Sequence, residues 1–182
     1  MPLPGVSMKP MAHSKPSLQG TLVLGLGNPL MGDDGLGLVV LERLASRWVV
    51  PPEVQLLDGG TGGLQLLPPI EDADRVILLD VIEAGEEPGR LVVLERDQLP
   101  RFFAQKLSPH EIALRDVLTL AELRGRLPAD VVAIGLQPGV VAMGPGLSPE
   151  VEAGVPVMLD TVLARLEQWE HSVRPATQGL YA

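Results

Sequence analysis

The sequence predicts a single three-layer α/β/α domain, with about five strands in a mainly parallel, twisted sheet and helices on both of its faces. Three observations favour this α/β class. Short apolar segments rich in Val, Leu and Ile alternate with segments whose apolar residues recur at helical spacing. Turns rich in Gly and Pro separate the two kinds of segment. The chain has 182 residues, 46% of them hydrophobic, which is enough for one full-sized core.

The first strand and its following helix come at the start of the domain. Thr21–Leu24 is a run of β-prone residues that leads into the turn G-L-G-N-P. Apolar residues then recur at helical spacing, which predicts a helix ending near Trp48. After Pro51 and Pro52 break the chain, Val54–Leu57 is predicted to be the second strand.

Two more strands are expected in the middle of the chain. A short helix is predicted over Gly63–Leu67, and we expect the Pro68-Pro69 pair to stop it. The segment R-V-I-L-L-D at Arg75–Asp80 contains four consecutive apolar residues, which is typical of a central strand covered on both faces. A polar turn follows, and Leu91–Leu94 is predicted to be the fourth strand.

The last third of the chain has two predicted helices around one strand. Ser108-Pro109-His110-Glu111 has the pattern of a capped helix start, and this helix is expected to end near Arg124. Val131–Leu136 is predicted to be the fifth strand, followed by a Gly- and Pro-rich loop. Ser148 is interpreted as the cap of a last helix that runs to about Trp169.

The two ends of the chain lack these patterns. Residues 1–20 contain several prolines and no apolar run, so they are interpreted as a flexible extension without a secretory signal, which favours the cytoplasm. The domain itself is assigned to residues 21–170, and residues 171–182 are predicted to be a disordered tail.

Composition excludes several classes of function. With 23 acidic and 14 basic residues the formal charge is −9, which disfavours a nucleic-acid partner. No apolar run is long enough to span a membrane. The chain has no cysteine, so thiolate ligands and a cysteine nucleophile are excluded, and a metal would have to be held by carboxylate and imidazole groups.

Three candidate site residues are expected to meet at one edge of the sheet. Asp34 follows the first strand, Asp80 ends the third, and His110 begins a helix. Two carboxylates and an imidazole suit a divalent cation with open coordination positions. The amino end of a helix disfavours the imidazolium form of His110, and neutral imidazole is the form that binds metal.

Simpler interpretations of the same residues stay open. Asp33 or Asp34 can serve as an ordinary helix cap, and we assign the cap to Asp33 and the ligand role to Asp34. Asp34 and Asp80 could instead form an aspartic dyad that shares a proton. A dinucleotide site is rejected, because Gly25 and Gly27 are followed by Leu30 where the fingerprint needs a third glycine.

At these residues the chain resembles the [NiFe]-hydrogenase maturation endopeptidases. Five stretches carry the resemblance in family order between residues 21 and 168: G-L-G-N-P-L-M-G-D-D-G-L-G, L-D-G-G-T-G-G-L, V-I-L-L-D, S-P-H-E and L-S-P-E-V-E-A. The family's metal-binding positions fall on Asp34, Asp80 and His110, with Asp34 standing where some members have Glu.

The resemblance implies a hydrolase, an endopeptidase that removes the C-terminal extension of the hydrogenase large-subunit precursor after nickel insertion. It implies that the three ligands, which are also the candidate catalytic residues, recognise nickel carried by the substrate. Another divalent cation could occupy the site in vitro. The expected partner is the large-subunit precursor alone, with no nucleic acid and no membrane, and the protein is expected to act as a monomer.

Two other functions are compatible with parts of the sequence. A non-catalytic, nickel-sensing chaperone would bind the precursor through the same three residues without cutting it. Peptidyl-tRNA hydrolases also begin with a strand and G-L-G-N-P, but they should have Gly after Pro29 and a basic channel. Here Leu30 follows, and the acidic pair Asp33 and Asp34 comes next.

Overall fold

A five-stranded sheet forms the centre of the computed structural model, which describes residues 20–100 and 109–176, with the backbone alone for 109–113. The strands in these ranges are β1 (Thr21–Leu26), β2 (Trp48–Val49), β3 (Val54–Gly60), β4 (Arg75–Val81), β5 (Leu91–Glu95), β6 (Asp130–Leu136) and β7 (Arg174–Pro175). The central sheet has the order β3-β1-β4-β6-β5. Its pairs are parallel except that β5 is antiparallel to β6, and β2 and β7 form a separate antiparallel pair.

Helices connect the strands and cover the sheet. The α-helices of the described ranges are α1 (Leu36–Arg47), α2 (Leu67–Asp72), α3 (Pro109–Leu123) and α4 (Pro149–Gln168). Single 3-10 turns at Gly32–Gly35 and Leu64–Leu66 precede α1 and α2. The predicted α/β class and the mainly parallel sheet are therefore confirmed.

The sheet separates two hydrophobic cores. Successive residues of a strand point to opposite faces, so Val23 and Ile77 face one core while Leu24 and Leu78 face the other. The first core is closed by α1 and α4, and the second by α2 and α3. The middle strand, β4, is buried from Val76 onward, as its uninterrupted apolar run predicted.

The predicted arrest of a helix at Pro68 and Pro69 is wrong. Both prolines lie in the first turn of α2, which continues to Asp72. Proline lacks a backbone N–H, and the first turn of a helix is where that N–H has no partner within the helix, so proline is accepted there.

The C-terminal segment is also more ordered than predicted. The tail was expected to be disordered from His171, but residues 171–176 are part of the fold. The His171 ring lies 2.7 Å from the Thr21 hydroxyl, Arg174 and Pro175 pair with β2, and Ala176 N–H donates to Arg47 C=O at 2.8 Å. Two residues of pairing are too few to leave a periodic pattern in the sequence. Residues 1–19 and 177–182, which belong to the predicted extension and tail, lie outside the described residues.

Glycine at position 37 allows α1 to lie directly on the sheet. A Cβ atom there would be 2.2 Å from the Leu79 carbonyl oxygen and 2.4 Å from that of Leu26. Only a residue without a side chain can make this approach. The first turn of α1 is thereby held against the carboxyl ends of β1 and β4. Within the described ranges, no helix is both long enough and apolar enough to cross a bilayer.

Candidate functional site

Two of the three predicted site residues lie at the carboxyl ends of neighbouring strands. β1 and β4 pair in parallel with Gly25 opposite Leu79, and Asp80 follows immediately on β4. Asp34 lies in the 3-10 turn that connects β1 to α1. Since Gly37 seats the start of α1 on Leu79, both aspartates belong to the same sheet edge. This is the edge at which open α/β sheets usually bind ligands.

Asp34 is held by the turn that precedes it. Its Oδ2 accepts a hydrogen bond from Asn28 N–H at 2.9 Å, and its backbone carbonyl accepts from the same group at 3.1 Å. Gly27 has a φ of 112° and comes so near Asp34 that a Cβ atom would lie 1.7 Å from the Asp34 carbonyl oxygen. The glycine of the G-L-G-N-P turn therefore fixes the position of the carboxylate.

Asp80 is buried at the end of the central strand. Asp80 is 8% exposed and Asp34 is 7% exposed. Asp80 Oδ1 accepts a hydrogen bond from Val81 N–H at 2.8 Å, which orients the carboxylate at the strand end. Two buried carboxylates at one sheet edge are typical of a site that binds a cation or moves a proton.

His110 is the second residue of α3, as the capping pattern predicted for its backbone. Its side chain and those of its neighbours up to Ala113 are not described, and Ser108 lies outside the described residues. Among the side chains that the structure describes, no three His, Asp or Glu are grouped closely enough to hold a metal ion. That set includes Asp34 and Asp80 but not His110, so the predicted ligand set of three stays a prediction.

Asp33 has a different role from the predicted helix cap. Its turn begins at Met31, and no side chain caps it. The Asp33 carboxylate is fully buried and accepts four hydrogen bonds from the loop between β6 and α4. Oδ2 accepts from Gly139 N–H at 2.8 Å, Val140 N–H at 2.7 Å and the Ser148 hydroxyl at 2.9 Å, and Oδ1 accepts from Ser148 N–H at 2.6 Å.

These bonds favour the charged form of Asp33. Burial raises the pKa of the carboxyl group, but the hydrogen bonds from Val140, Ser148 and Gly139 outweigh it and hold the pKa below its ordinary value. Ser148 is the N-cap residue of α4, as predicted, but its side chain makes no capping bond, because its hydroxyl, like its N–H, donates to Asp33. The two adjacent aspartates therefore have different roles: Asp33 anchors the loop between β6 and α4, and Asp34 lies at the sheet edge of the candidate site.

A second buried polar residue holds the other end of the same loop. Gln137 is 4% exposed, and its Oε1 accepts from Ala84 N–H at 2.8 Å and Glu86 N–H at 3.1 Å. Its Nε2 donates to Glu83 Oε1 at 2.7 Å. The polar turn between β4 and β5 is thereby tied to the start of the loop at residues 137–148.

Sequence reasoning did not find the roles of Asp33, Gln137 and Ser148. The contacts that give them these roles join residues more than 50 positions apart in the chain. A local pattern such as a capping box cannot report such contacts. The only available signal was the adjacency of two aspartates, of which one cap would use at most one.

The chain matches a family model described as hydrogenase maturation protease over residues 38–165. It is 41% identical over 150 residues to the hydrogenase expression/formation protein HupD of Bradyrhizobium diazoefficiens, covering 81% of this chain and 78% of that protein. It is 36% identical over 148 residues to the hydrogenase 2 maturation protease of Escherichia coli, covering 81% and 90%.

Solved structures give the same result. The hydrogenase maturating endopeptidase HybD from Escherichia coli superimposes with a TM-score of 0.84 at 34% identity, covering 88% of this chain and 99% of that one. The [NiFe] hydrogenase maturation protease HybD from Thermococcus kodakarensis superimposes with a TM-score of 0.67 at 29% identity, covering 80% and 98%. The Escherichia coli relative and both solved structures are named as proteases or endopeptidases, so a binding-only chaperone is not favoured.

Proposed function

The chain belongs to the hydrogenase maturation protease family and is therefore a hydrolase of peptide bonds, and from this premise we propose its substrate and site. The substrate is the large-subunit precursor of a [NiFe]-hydrogenase, from which the enzyme removes the C-terminal extension once nickel has been inserted. The observation that carries this proposal is the position of two buried carboxylates at one sheet edge: Asp80 near the end of β4, and Asp34 in the turn that follows the neighbouring strand β1.

In this proposal Asp34, Asp80 and His110 bind the nickel that the precursor carries. Carboxylate oxygen and imidazole nitrogen are suitable ligands for a divalent cation of this kind. Because the metal belongs to the substrate, its capture places the adjoining C-terminal peptide against the site. Fixing the reactants in this way supplies part of the rate enhancement, since the reaction becomes effectively unimolecular. Another divalent cation can occupy the same ligands in vitro.

Hydrolysis then follows from the chemistry of the carboxylates. One of the two aspartates removes a proton from a water molecule, whose oxygen attacks the carbonyl carbon of the scissile peptide bond. The C–N bond breaks, the proton passes to the leaving amine, and the extension departs with a new amino terminus. A precursor without nickel would lack the contact that brings its C-terminal peptide to this water molecule. Cleavage would therefore depend on prior loading of the precursor with nickel.

The direct test is a mass spectrum of purified precursor after incubation with the protein, with and without nickel in the precursor. Loss of a C-terminal peptide from the loaded sample alone is the expected result. Loss from both samples would refute the dependence on nickel. If neither sample loses a C-terminal peptide but the protein and the precursor form a stable complex, the result would favour the chaperone function over the protease function.

The site assignment is tested by variants of the same assay. Asp34→Asn and His110→Ala should each slow processing of the loaded precursor by roughly a hundredfold or more, because each removes a ligand or a base. Asp116→Asn is the matched control: it lies on α3, six residues after His110, and 63% of its side chain is exposed. Full processing by either site variant would refute the assignment.

Two further expectations belong to this proposal. We expect the protein to act as a monomer, which light scattering after size-exclusion chromatography would measure. We also expect it to work in the cytoplasm, which fractionation of cells that produce the protein would test.

A further inference from the structure

Four apolar side chains stand exposed beside the proposed site. Leu30 is 68% exposed, Val140 55%, Val141 53% and Met143 89%. We call these four residues the apolar ridge. Exposed apolar side chains are common when scattered, but a contiguous group indicates an interaction surface.

Backbone hydrogen bonds join the two chain segments that bear the apolar ridge. Gly144 N–H donates to Leu30 C=O at 3.0 Å, and Gly32 N–H donates to Gly144 C=O at 2.9 Å. Asp33 N–H donates to Val140 C=O at 3.0 Å, while its carboxylate accepts from Val140 N–H at 2.7 Å. The two chain segments that bear the ridge are therefore fastened to one another side by side.

These hydrogen bonds order the backbone that bears the ridge in the free protein. The buried, charged Asp33 holds the loop, and Gln137 holds its beginning. A surface that is already ordered loses little conformational entropy on binding, so its apolar contacts contribute more of their energy to affinity. Asp33, which binds Val140 of the ridge, is also the chain neighbour of Asp34, so the ridge is anchored next to the proposed site.

An acidic turn borders the ridge. Glu83, Glu86 and Glu87 are exposed on the turn between β4 and β5. Gln137 binds the backbone of this turn, and the Cβ of Pro88 lies 3.3 Å from the position that a Cβ on Gly139 would take. A partner that covers the ridge would therefore bring its flanking groups near negative charge.

We propose that the apolar ridge and the acidic turn are the docking surface for the precursor, deepening the function proposed above and resting on it. The occupant is a segment of the precursor with apolar side chains flanked by Lys or Arg. The apolar side chains cover the ridge, and the basic groups face the acidic turn. Docking at this surface brings the precursor to Asp34 and selects it among other proteins.

The test compares variants of the two surfaces with matched controls on the far parts of the molecule. Val141→Asp/Met143→Asp places charge on the ridge, and Leu123→Asp does the same at an 81% exposed position on α3. We expect the double variant to raise KM for nickel-loaded precursor roughly tenfold or more, with kcat changed by less than about twofold. Leu123→Asp should leave both constants as in the wild type.

The acidic turn is tested by charge reversal. Glu86→Lys/Glu87→Lys should raise KM several-fold at low ionic strength, and the difference from wild type should shrink as salt is added. Glu42→Lys, an exposed position on α1, is the control and should leave KM unchanged. Circular dichroism and thermal unfolding verify that each variant is folded.

Each outcome decides between the docking surface and the function. If the wild type cleaves the precursor and the ridge variant has the KM of Leu123→Asp, the docking surface is refuted. If the wild type cleaves no precursor, the proposed function fails, and binding of precursor measured by biolayer interferometry tests the ridge by itself. If the ridge variant instead abolishes a dimer of this chain while KM is unchanged, the occupant is a second copy and the proposal is overturned.

Discussion

Replacing Asp33 by Asn tests whether one buried carboxylate holds the loop at residues 137–148. The amide oxygen can take the place of Oδ2 and keep the three bonds from Gly139, Val140 and the Ser148 hydroxyl, but as weaker, neutral ones. The amide nitrogen then faces Ser148 N–H, where the 2.6 Å bond is lost and two donors oppose one another.

The magnitude follows from these contacts. A buried donor left without an acceptor costs about 1–3 kcal/mol, and the weakening of three charge-assisted bonds adds a few tenths to one kcal/mol each. Since the loop can detach and become solvated, we expect a total loss of about 2–4 kcal/mol in the free energy of unfolding. For a domain of this size that lowers Tm by roughly 5–15 °C.

Urea unfolding at pH 7 measures the total, and amide hydrogen exchange locates it. The amides of Gly139, Val140 and Ser148 should lose protection while those of the central strand β4 keep theirs. Asp116→Asn, on the exposed side of α3, should stay within about 0.5 kcal/mol of the wild type. An Asp33→Asn variant as stable as that control, with the three amides still protected, would refute the anchor.

Two more predictions follow from the same contacts. Folding lowers the pKa of Asp33, so the stability that its carboxylate contributes is complete above the unfolded pKa of about 3.9 and is lost as pH falls through the folded pKa. The difference in unfolding free energy between wild type and Asp33→Asn should therefore hold from pH 7 to about 5 and shrink at still lower pH. A difference that stays constant at low pH would contradict the lowered pKa. Gly37→Ala should lower the free energy of unfolding in urea by about 3 kcal/mol or more, because its Cβ would meet carbonyl oxygens at 2.2 and 2.4 Å. The control Gly85→Ala should lower it by about 1 kcal/mol, because Gly85 has a φ of 74° but open space around it. Equal losses would contradict the close approach of α1 to the sheet.

Local patterns in the sequence determine most of this fold. The apolar run of β4 predicted a central strand because a strand covered on both faces needs no polar alternation. The Pro109 helix start and the buried face of α3, with Leu114, Val117 and Leu118, follow from helical spacing in the same way. For these elements the local preference and the tertiary packing agree.

The features that sequence reasoning missed depend on distant partners. Asp33 had the pattern of a cap, but its acceptors serve amides more than a hundred residues away. The loop buries Asp33 and uses its carboxylate as an acceptor, so this side chain does not cap the helix as its local pattern predicted. His171 and Arg174 join the fold through contacts with Thr21 and Val49, which no pattern near the C-terminal end announces. Of the site, the sequence places Asp34 and Asp80 at one sheet edge, whereas the surroundings that hold them require the folded chain.

The pairing of β7 with β2 has a practical consequence. Gly20 precedes β1, and Ala176 is bonded to the last residue of α1, so the described chain enters and leaves at the amino ends of the strands. The proposed site lies at the carboxyl ends, roughly 20 Å away across a six-residue strand. A surface tether attached at residue 20 or residue 176 would therefore begin on the side away from the proposed site. Protein immobilised at either of these positions would present the proposed site to solution.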